Sequence, residues 1–363
     1  MARISIFWGS ILAGVFIVHV VTCFQLHVTR PRKLRNPSSL YMKLKSKEPR
    51  NDQAVGNLYV DKSCIDCDAC RWMDDVTYGR SGLGTSVQVQ PEDEAAKLKA
   101  FQAMISCPVG AIRTEKPDPF VKEAMKSFPM AIDKRLPNIY HLGFHQWQTF
   151  GAIPYLIVRP NGKNIMVDVP RYHHALADSI EALGGVSYLV LTHKDDVHGH
   201  KKWKERFPDL VRVINRLDLD MEGQTKVCER WLEEEGDSMD QGPWYLDDLK
   251  DHEIVYTPGH TAGSISMHYQ GQEGESVLFT GDTLCYSQRQ MQLSGMTKYC
   301  KHDLERQAQT LEALAEGKFF QWILPGHGRR YRFLDEDGMR DLVSICAKEV
   351  RRGKIDLVEA IHF

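Results

Sequence analysis

An α/β fold in two parts, a small cysteine-bearing module ahead of a larger strand-and-helix domain, is what this sequence predicts. Three observations predict it. Short apolar, β-branched runs alternate with stretches of helical spacing through the C-terminal part of the chain. Four such runs end in turns that each deliver histidine or aspartate. Closer to the N-terminus, three cysteines stand two residues apart and a fourth follows on its own.

The central run is Val186 to Leu191, a buried-strand pattern. The loop Thr192-His193-Lys194-Asp195-Asp196-Val197-His198-Gly199-His200 follows it, with three histidines and two aspartates. Packing does not explain so many ligand-type groups leaving one strand end, whereas imidazole and carboxylate groups on a sheet rim close readily around a divalent metal. Three later stretches repeat the arrangement. Glu253 to Tyr256 leads into Thr257-Pro258-Gly259-His260-Thr261-Ala262-Gly263-Ser264, Ser276 to Phe279 into Thr280-Gly281-Asp282-Thr283, and Phe320 to Leu324 into Pro325-Gly326-His327-Gly328. Asn164 to Pro170, with Asp168, is a further strand and turn.

In order and wording these motifs resemble those of the metallo-β-lactamase superfamily over about Asn138 to Ala347. The resemblance implies a four-layer αββα sandwich. It further implies that His193, Asp195 and His260 hold one ion, that His200 and His327 hold another, and that Asp282 bridges them. His198 is the alternative to His200, and Asp196 is then free to act as the catalytic proton acceptor. The first motif departs from the common pattern. It is similar to a plant and bacterial branch in which ferredoxin and metallo-β-lactamase-like regions share a chain, but Gly199 stands where that branch has Asp. One tight and one weak ion position are therefore expected. His141 and His145, ahead of the first strand, are further candidates to face the site.

Cys64-Ile65-Asp66-Cys67-Asp68-Ala69-Cys70, followed by Cys107-Pro108, is the spacing of one [4Fe–4S] cluster, with a zinc site as the alternative. Residues 55–115 resemble a single-cluster ferredoxin. Pro91 to Glu94 should open a helix that delivers Cys107, with Leu98, Phe101, Met104 and Ile105 on its core face. Pro117, Pro119, Pro129 and Pro137 mark 116–137 as a linker, which leaves 138–350 for the larger domain.

The net charge of −2 conceals an asymmetry, because residues 1–47 carry eight basic and no acidic side chains. The remainder is acidic, which argues against a nucleic-acid partner. Residues 1–23 read as a signal peptide, with a membrane anchor as the alternative, and 24–47 as a transit peptide. Together they resemble the bipartite presequence that directs proteins to complex plastids. A plastid location is expected, with secretion as the alternative.

Bound ions would lower the pKa of water to about 7. A hydrolase acting on a small ester, thioester or amide is therefore the first expectation. An iron-containing oxidoreductase fed by the ferredoxin module is the second, since an Asp in place of a His suits zinc less and iron more. A metal-binding partner of an electron-transfer module is the third. The expected cofactors are one [4Fe–4S] cluster and one or two zinc or iron ions. The expected partners are a small-molecule substrate and an electron-transfer protein.

Overall fold

Two β-sheets face each other across a shared apolar interior, and each carries helices on its outer face. The computed structural model describes residues 47–353 apart from 83, 221–222, 234–240 and 272. The two targeting segments therefore lie, but for Lys47, outside the described residues. Among the described residues, no helix is long and apolar enough to cross a membrane.

The first sheet has seven strands, in the order Arg230–Leu232, Val211–Asn215, Tyr188–Val190, Ile165–Val167, Tyr155–Ile157, Ile139–His141 and Met130–Ala131. The first four run parallel to one another, and the remaining pairings are antiparallel. The second sheet has five, in the order His252–Tyr256, Ile265–Tyr269, Val277–Gly281, Trp322–Pro325 and Tyr331–Arg332. Between them lie Ile157, Ile165, Val190 and Val213 from one sheet and Ile254, Met267, Phe279 and Leu324 from the other, all fully buried. Helices Leu304–Glu316 and Glu336–Arg351 cover the outer face of the second sheet through Leu311, Met339 and Val343. Helices His174–Ala182 and His200–Arg206 cover the first through Leu176, Ile180 and Trp203. The αββα order of layers follows, because each sheet must bury both apolar faces. Phe279→Ala should cost about 3–5 kcal/mol through the cavity it leaves between the sheets. Urea unfolding with an unchanged denaturant slope checks that.

The cysteine-bearing module is α+β. Strands Leu58–Val60 and Ile112–Thr114 pair antiparallel, as do Tyr78–Ser81 and Gly84–Val87. Helix Glu94–Ser106 begins where expected, capped by the Asp93 carboxylate accepting from the Ala96 N–H, and it ends at Cys107. Its buried side merges with the helix layer of the first sheet, since Phe101, Tyr78, Leu176 and Trp203 belong to one continuous core. The segment expected as a linker has structure of its own. Helix Phe120–Lys126 lays Phe120 against Phe101 at 6.2 Å between ring centroids, and Met130–Ala131 adds the edge strand of the first sheet. The prolines break regular structure without loosening the chain, because Phe120, Val121 and Met125 all have apolar surface to bury there.

Candidate metal centre and cluster cradle

The ligand-type side chains converge at one end of the facing sheets, where several strands stop. His193 follows strand Tyr188–Val190, His260 follows His252–Tyr256, Asp282 follows Val277–Gly281 and His327 follows Trp322–Pro325. Turns at these ends must be tight. Gly281 has φ +49°, and a Cβ there would lie 2.6 Å from Thr192 Oγ1, so no larger residue fits. Thr192 in turn orients the first histidine, its Oγ1 lying 3.0 Å from His193 Nδ1 while Asp168 accepts from both its backbone N–H and its hydroxyl. Burial pushes the Asp168 carboxyl up to about 7, against the hydrogen bonds from Thr192.

Two groups of potential ligands result, His193 with His260 and Asp282, and Asp196 with Asp282 and His327. Asp282 belongs to both. Its Oδ2 lies 3.6 Å from His193 Nε2 and 3.5 Å from His260 Nε2, and its Oδ1 lies 2.8 Å from His327 Nδ1. His193 Nε2, His260 Nδ1 and both carboxylate oxygens of Asp196 are buried without a hydrogen-bond partner. Orphaned polar atoms at this density are costly unless a cation satisfies them. The donor set therefore fits one or two divalent ions. Without an ion, proton binding shows the same tension. Burial and the neighbouring carboxylates push Asp196 well up. Burial holds His193 down at about 4. At His327 burial favours the neutral ring, but the charges of Asp282 and Asp196 overcome it and push the imidazole up to about 10.

The structure places several expected residues differently. Lys194–Asp196 is a single 3₁₀ turn, in which successive side chains point about 120° apart. Asp196 therefore points inward and is 1% exposed. Asp195 turns to the rim, with its Oδ2 3.6 Å from His260 Nε2 and 2.8 Å from Lys301 Nζ. Asp195 lies outside both groups of potential ligands, and Asp196, expected as a proton acceptor, lies inside one. His200 is also elsewhere. It opens helix His200–Arg206, and its Nδ1 accepts from Arg212 at 2.9 Å. His198 joins neither group, and its carbonyl accepts from Gln146. Gly199 has φ +85° at the helix start, and a side chain there would meet Gln146 and Val169 rather than the ligand cluster. His141 and His145 pair with each other, Nε2 to Nε2 at 2.8 Å, in a fully buried position beneath Trp72 and Phe128.

Sequence reasoning missed Asp218, which lies in none of the motifs. Its buried carboxylate accepts from the Lys194 N–H at 3.0 Å, the Thr261 hydroxyl at 2.6 Å and the Gly263 N–H at 3.0 Å, tying the two histidine loops together. Asp218→Asn replaces an acceptor by a donor that faces backbone N–H groups. It should weaken metal binding about 10–100-fold, as loss of an outer support does. A competition titration with a chromophoric chelator measures it.

Acid should destabilise this fold. Burial and the Arg212 charge hold His200 down at about 4, and burial holds His145 down at about 3. Below the ordinary histidine value of 6.5 the unfolded chain binds protons that the native chain refuses. Stability present above pH 6.5 is therefore lost as pH falls toward 4. His200→Gln keeps an acceptor for Arg212 and should remove about 1.4 kcal/mol per pH unit of that slope, read from urea unfolding between pH 6.5 and 4.5.

In the cysteine-bearing module, Cys64, Cys67, Cys70 and Cys107 line one small cavity with Ile65, Val109 and Thr85. None of the four forms a disulfide. Burial pushes the Cys67 thiol well up, and the neighbouring Cys107 and Cys70 add to it. Backbone N–H groups of Asp66 and Ala111 point at Cys64 and Cys107 sulfurs, at 3.4 and 3.3 Å. Asp66 and Asp68 adopt positive φ, of 58° and 65°, to wrap the loop around the cavity. Four thiols around one cavity, two of them facing N–H donors, fit a [4Fe–4S] cluster, whose sulfurs take such hydrogen bonds.

Comparison with known proteins finds likenesses over parts of the chain. Residues 60–114 match the family model of the 4Fe-4S single cluster domain of Ferredoxin I. The hydroxyacylglutathione hydrolase of Crocosphaera subtropica is 28% identical over 135 residues, 36% of this chain and 49% of that protein. A cytoplasmic hydroxyacylglutathione hydrolase of Arabidopsis thaliana is 30% identical over 136 residues, 36% of this chain and 48% of that protein. The chain thus spans about half the length of the curated relatives it matches. Among solved structures, the metallo-β-lactamase FIM-1 from Pseudomonas aeruginosa in its mono-zinc form has a TM-score of 0.40 at 20% identity, covering 55% of this chain and 84% of that one. An archaeal metallo-β-lactamase superfamily protein from Sulfolobus tokodaii has a TM-score of 0.39 at 16% identity, covering 61% and 96%. The two facing sheets, their outer helices and the loop-borne ligand cluster make the larger part of the chain an αββα sandwich with a candidate metal centre. Ahead of the sandwich, residues 60–114 are similar to the single-cluster 4Fe-4S domain of the ferredoxin I type.

Proposed function

We propose that the protein is a metal-dependent hydrolase of small thioesters or esters. The observation that carries this reading is the shared Asp282, which joins two ligand groups in which His193 Nε2 and both Asp196 oxygens are buried without a hydrogen-bond partner. The hydrolase names of the curated relatives support it. His193, His260 and Asp282 would hold one ion, and Asp196, Asp282 and His327 a second. Such ions supply a Lewis acid and lower the pKa of water to about 7. Asp195 stays outside both groups at the rim. Burial raises its carboxyl, but His260, His193 and Lys301 outweigh that and hold it well below the usual carboxylate range. It is therefore an ionised base at the mouth, suited to move the proton to the leaving group. Lys301, half exposed and 2.8 Å from Asp195, would orient that base and attract an anionic substrate.

Chelated and zinc-reloaded protein, tested on a panel of acylglutathione and simple acyl thioesters, tests the reading. Zinc-dependent turnover lost in Asp195→Asn, with metal content unchanged, is the expected result. A second reading, iron-dependent redox chemistry, is favoured by the two carboxylates, Asp196 and Asp282, in the donor set. Elemental analysis of anaerobically purified protein separates the two: zinc beside cluster iron supports hydrolysis, whereas iron beyond the cluster's share supports the alternative.

A further inference from the structure

His327 is held from two sides, and both holds lead to the cluster loop. On one side, Arg329, two residues along the chain, forks onto Asp68 with Nε to Oδ2 at 2.6 Å and Nη2 to Oδ1 at 3.1 Å. Asp68 is 2% exposed and stands between Cys67 and Cys70, where Arg71 Nε also donates to it at 2.6 Å. On the other side, His327 Nε2 lies 3.2 Å from the Thr149 carbonyl. Gly151, two residues on, packs against the cluster cradle, and a Cβ placed there would lie 3.1 Å from Pro108 Cγ and 3.9 Å from Cys67 Cβ. Ile153 N–H closes this turn onto the Gly326 carbonyl at 2.7 Å. One ligand-type residue of the metal centre is thus clamped between two elements that each touch the cysteine loop.

We propose that the cluster and the metal position at Asp196, Asp282 and His327 are thermodynamically linked, with Arg329 as the positioning residue that couples them. The proposal rests on the metal-site reading above. Reduction adds one electron, from an external one-electron donor, to a cluster held by four thiolates, and no bond forms or breaks. The reduced cradle is one unit more negative. Through the packed side chains between the cysteine loop and His327, that charge favours a divalent cation at the clamped position. Reciprocity requires the converse: the cation must make the cluster easier to reduce. Arg329 sets the sensitivity because its bidentate fork transmits the position of the cysteine loop to His327 with little slack.

Site couplings of this kind run from about 5- to 150-fold. An approximately tenfold tightening of zinc by the reduced protein reads as an upward shift of about 59 mV in a one-electron midpoint potential. The experiment is a viologen-mediated spectroelectrochemical titration of the cluster in the full protein, chelated and then zinc-loaded, with zinc and iron counted in each sample. The expected result is a higher potential with zinc. The shift should be at least halved in Arg329→Met and partly restored in Arg329→Lys, with zinc and iron contents unchanged. Zinc bound with the potential unmoved overturns the linkage and leaves the metal-site reading intact. Failure to take up zinc overturns both. A full shift in Arg329→Met removes Arg329 from its role.

Discussion

Asp282→Asn is expected to strip metal from both halves of the site and to lower turnover by more than 100-fold. Asp282 is the one side chain common to both ligand groups, with Oδ2 facing His193 and His260 and Oδ1 facing His327. Asparagine keeps the shape but removes the charge and offers only one acceptor oxygen. Loss of an outer support already costs about 10–100-fold in metal affinity or activity, and a charged ligand shared by two ions should cost more. The same substitution removes the carboxylate that raises His327. Burial holds that ring neutral on its own, so its proton affinity should fall once Asp282 no longer opposes burial. Metal content by elemental analysis and the histidine titration by NMR of chelated protein report the two effects separately. Full metal content in Asp282→Asn would sink the shared-ligand assignment.

The second large effect is expected from Cys67→Ser. A cluster bound only by the native cradle stabilises the native chain by mass action. Serine in place of one of four thiolates should remove about four iron atoms per chain together with the broad visible absorption. The cradle is not an appendage. Cys70, Cys107, Tyr78 and Phe101 share a core with Leu176 and Trp203 of the sandwich's helix layer. The whole cooperative unit should therefore melt at lower temperature, by an amount larger than a surface substitution gives. A melt unchanged apart from lost colour would show that the two parts unfold independently.

The motif loops were legible because each follows the same local logic: a strand ends, a glycine or proline turns the chain, and one ligand-type side chain follows. His260, Asp282 and His327 obey it, while His193 leaves its strand through Thr192, and the structure brings these four together with Asp196. The cysteine spacing was legible for a similar reason, since three thiols two residues apart reach one small cavity whatever surrounds them. Helix Glu94–Ser106 announced itself through the proline and acids of Pro91 to Glu94 and an apolar stripe.

What the tertiary structure alone decided lies where the rule is not local. The sequence motifs suggested Asp195 and His200 as ligands, His198 as the alternative to His200 and Asp196 as a proton acceptor. Selection among them depends on the 3₁₀ turn at Lys194–Asp196, on the positive φ of Gly199, and on Arg212 arriving from the next strand to take His200. Asp218 and Arg329 were invisible, because their partners stand 24 to 45 and 261 residues away in sequence. The prolines of 116–137 spoke for a linker, but Phe120 and its neighbours had apolar surface to bury, and burial prevailed. Residue order by itself determined which chemical groups stand at strand ends. Which of them meet, and that a cluster loop lies against the metal centre, was left to the packing of distant elements, because proximity between remote residues is a property of the folded core.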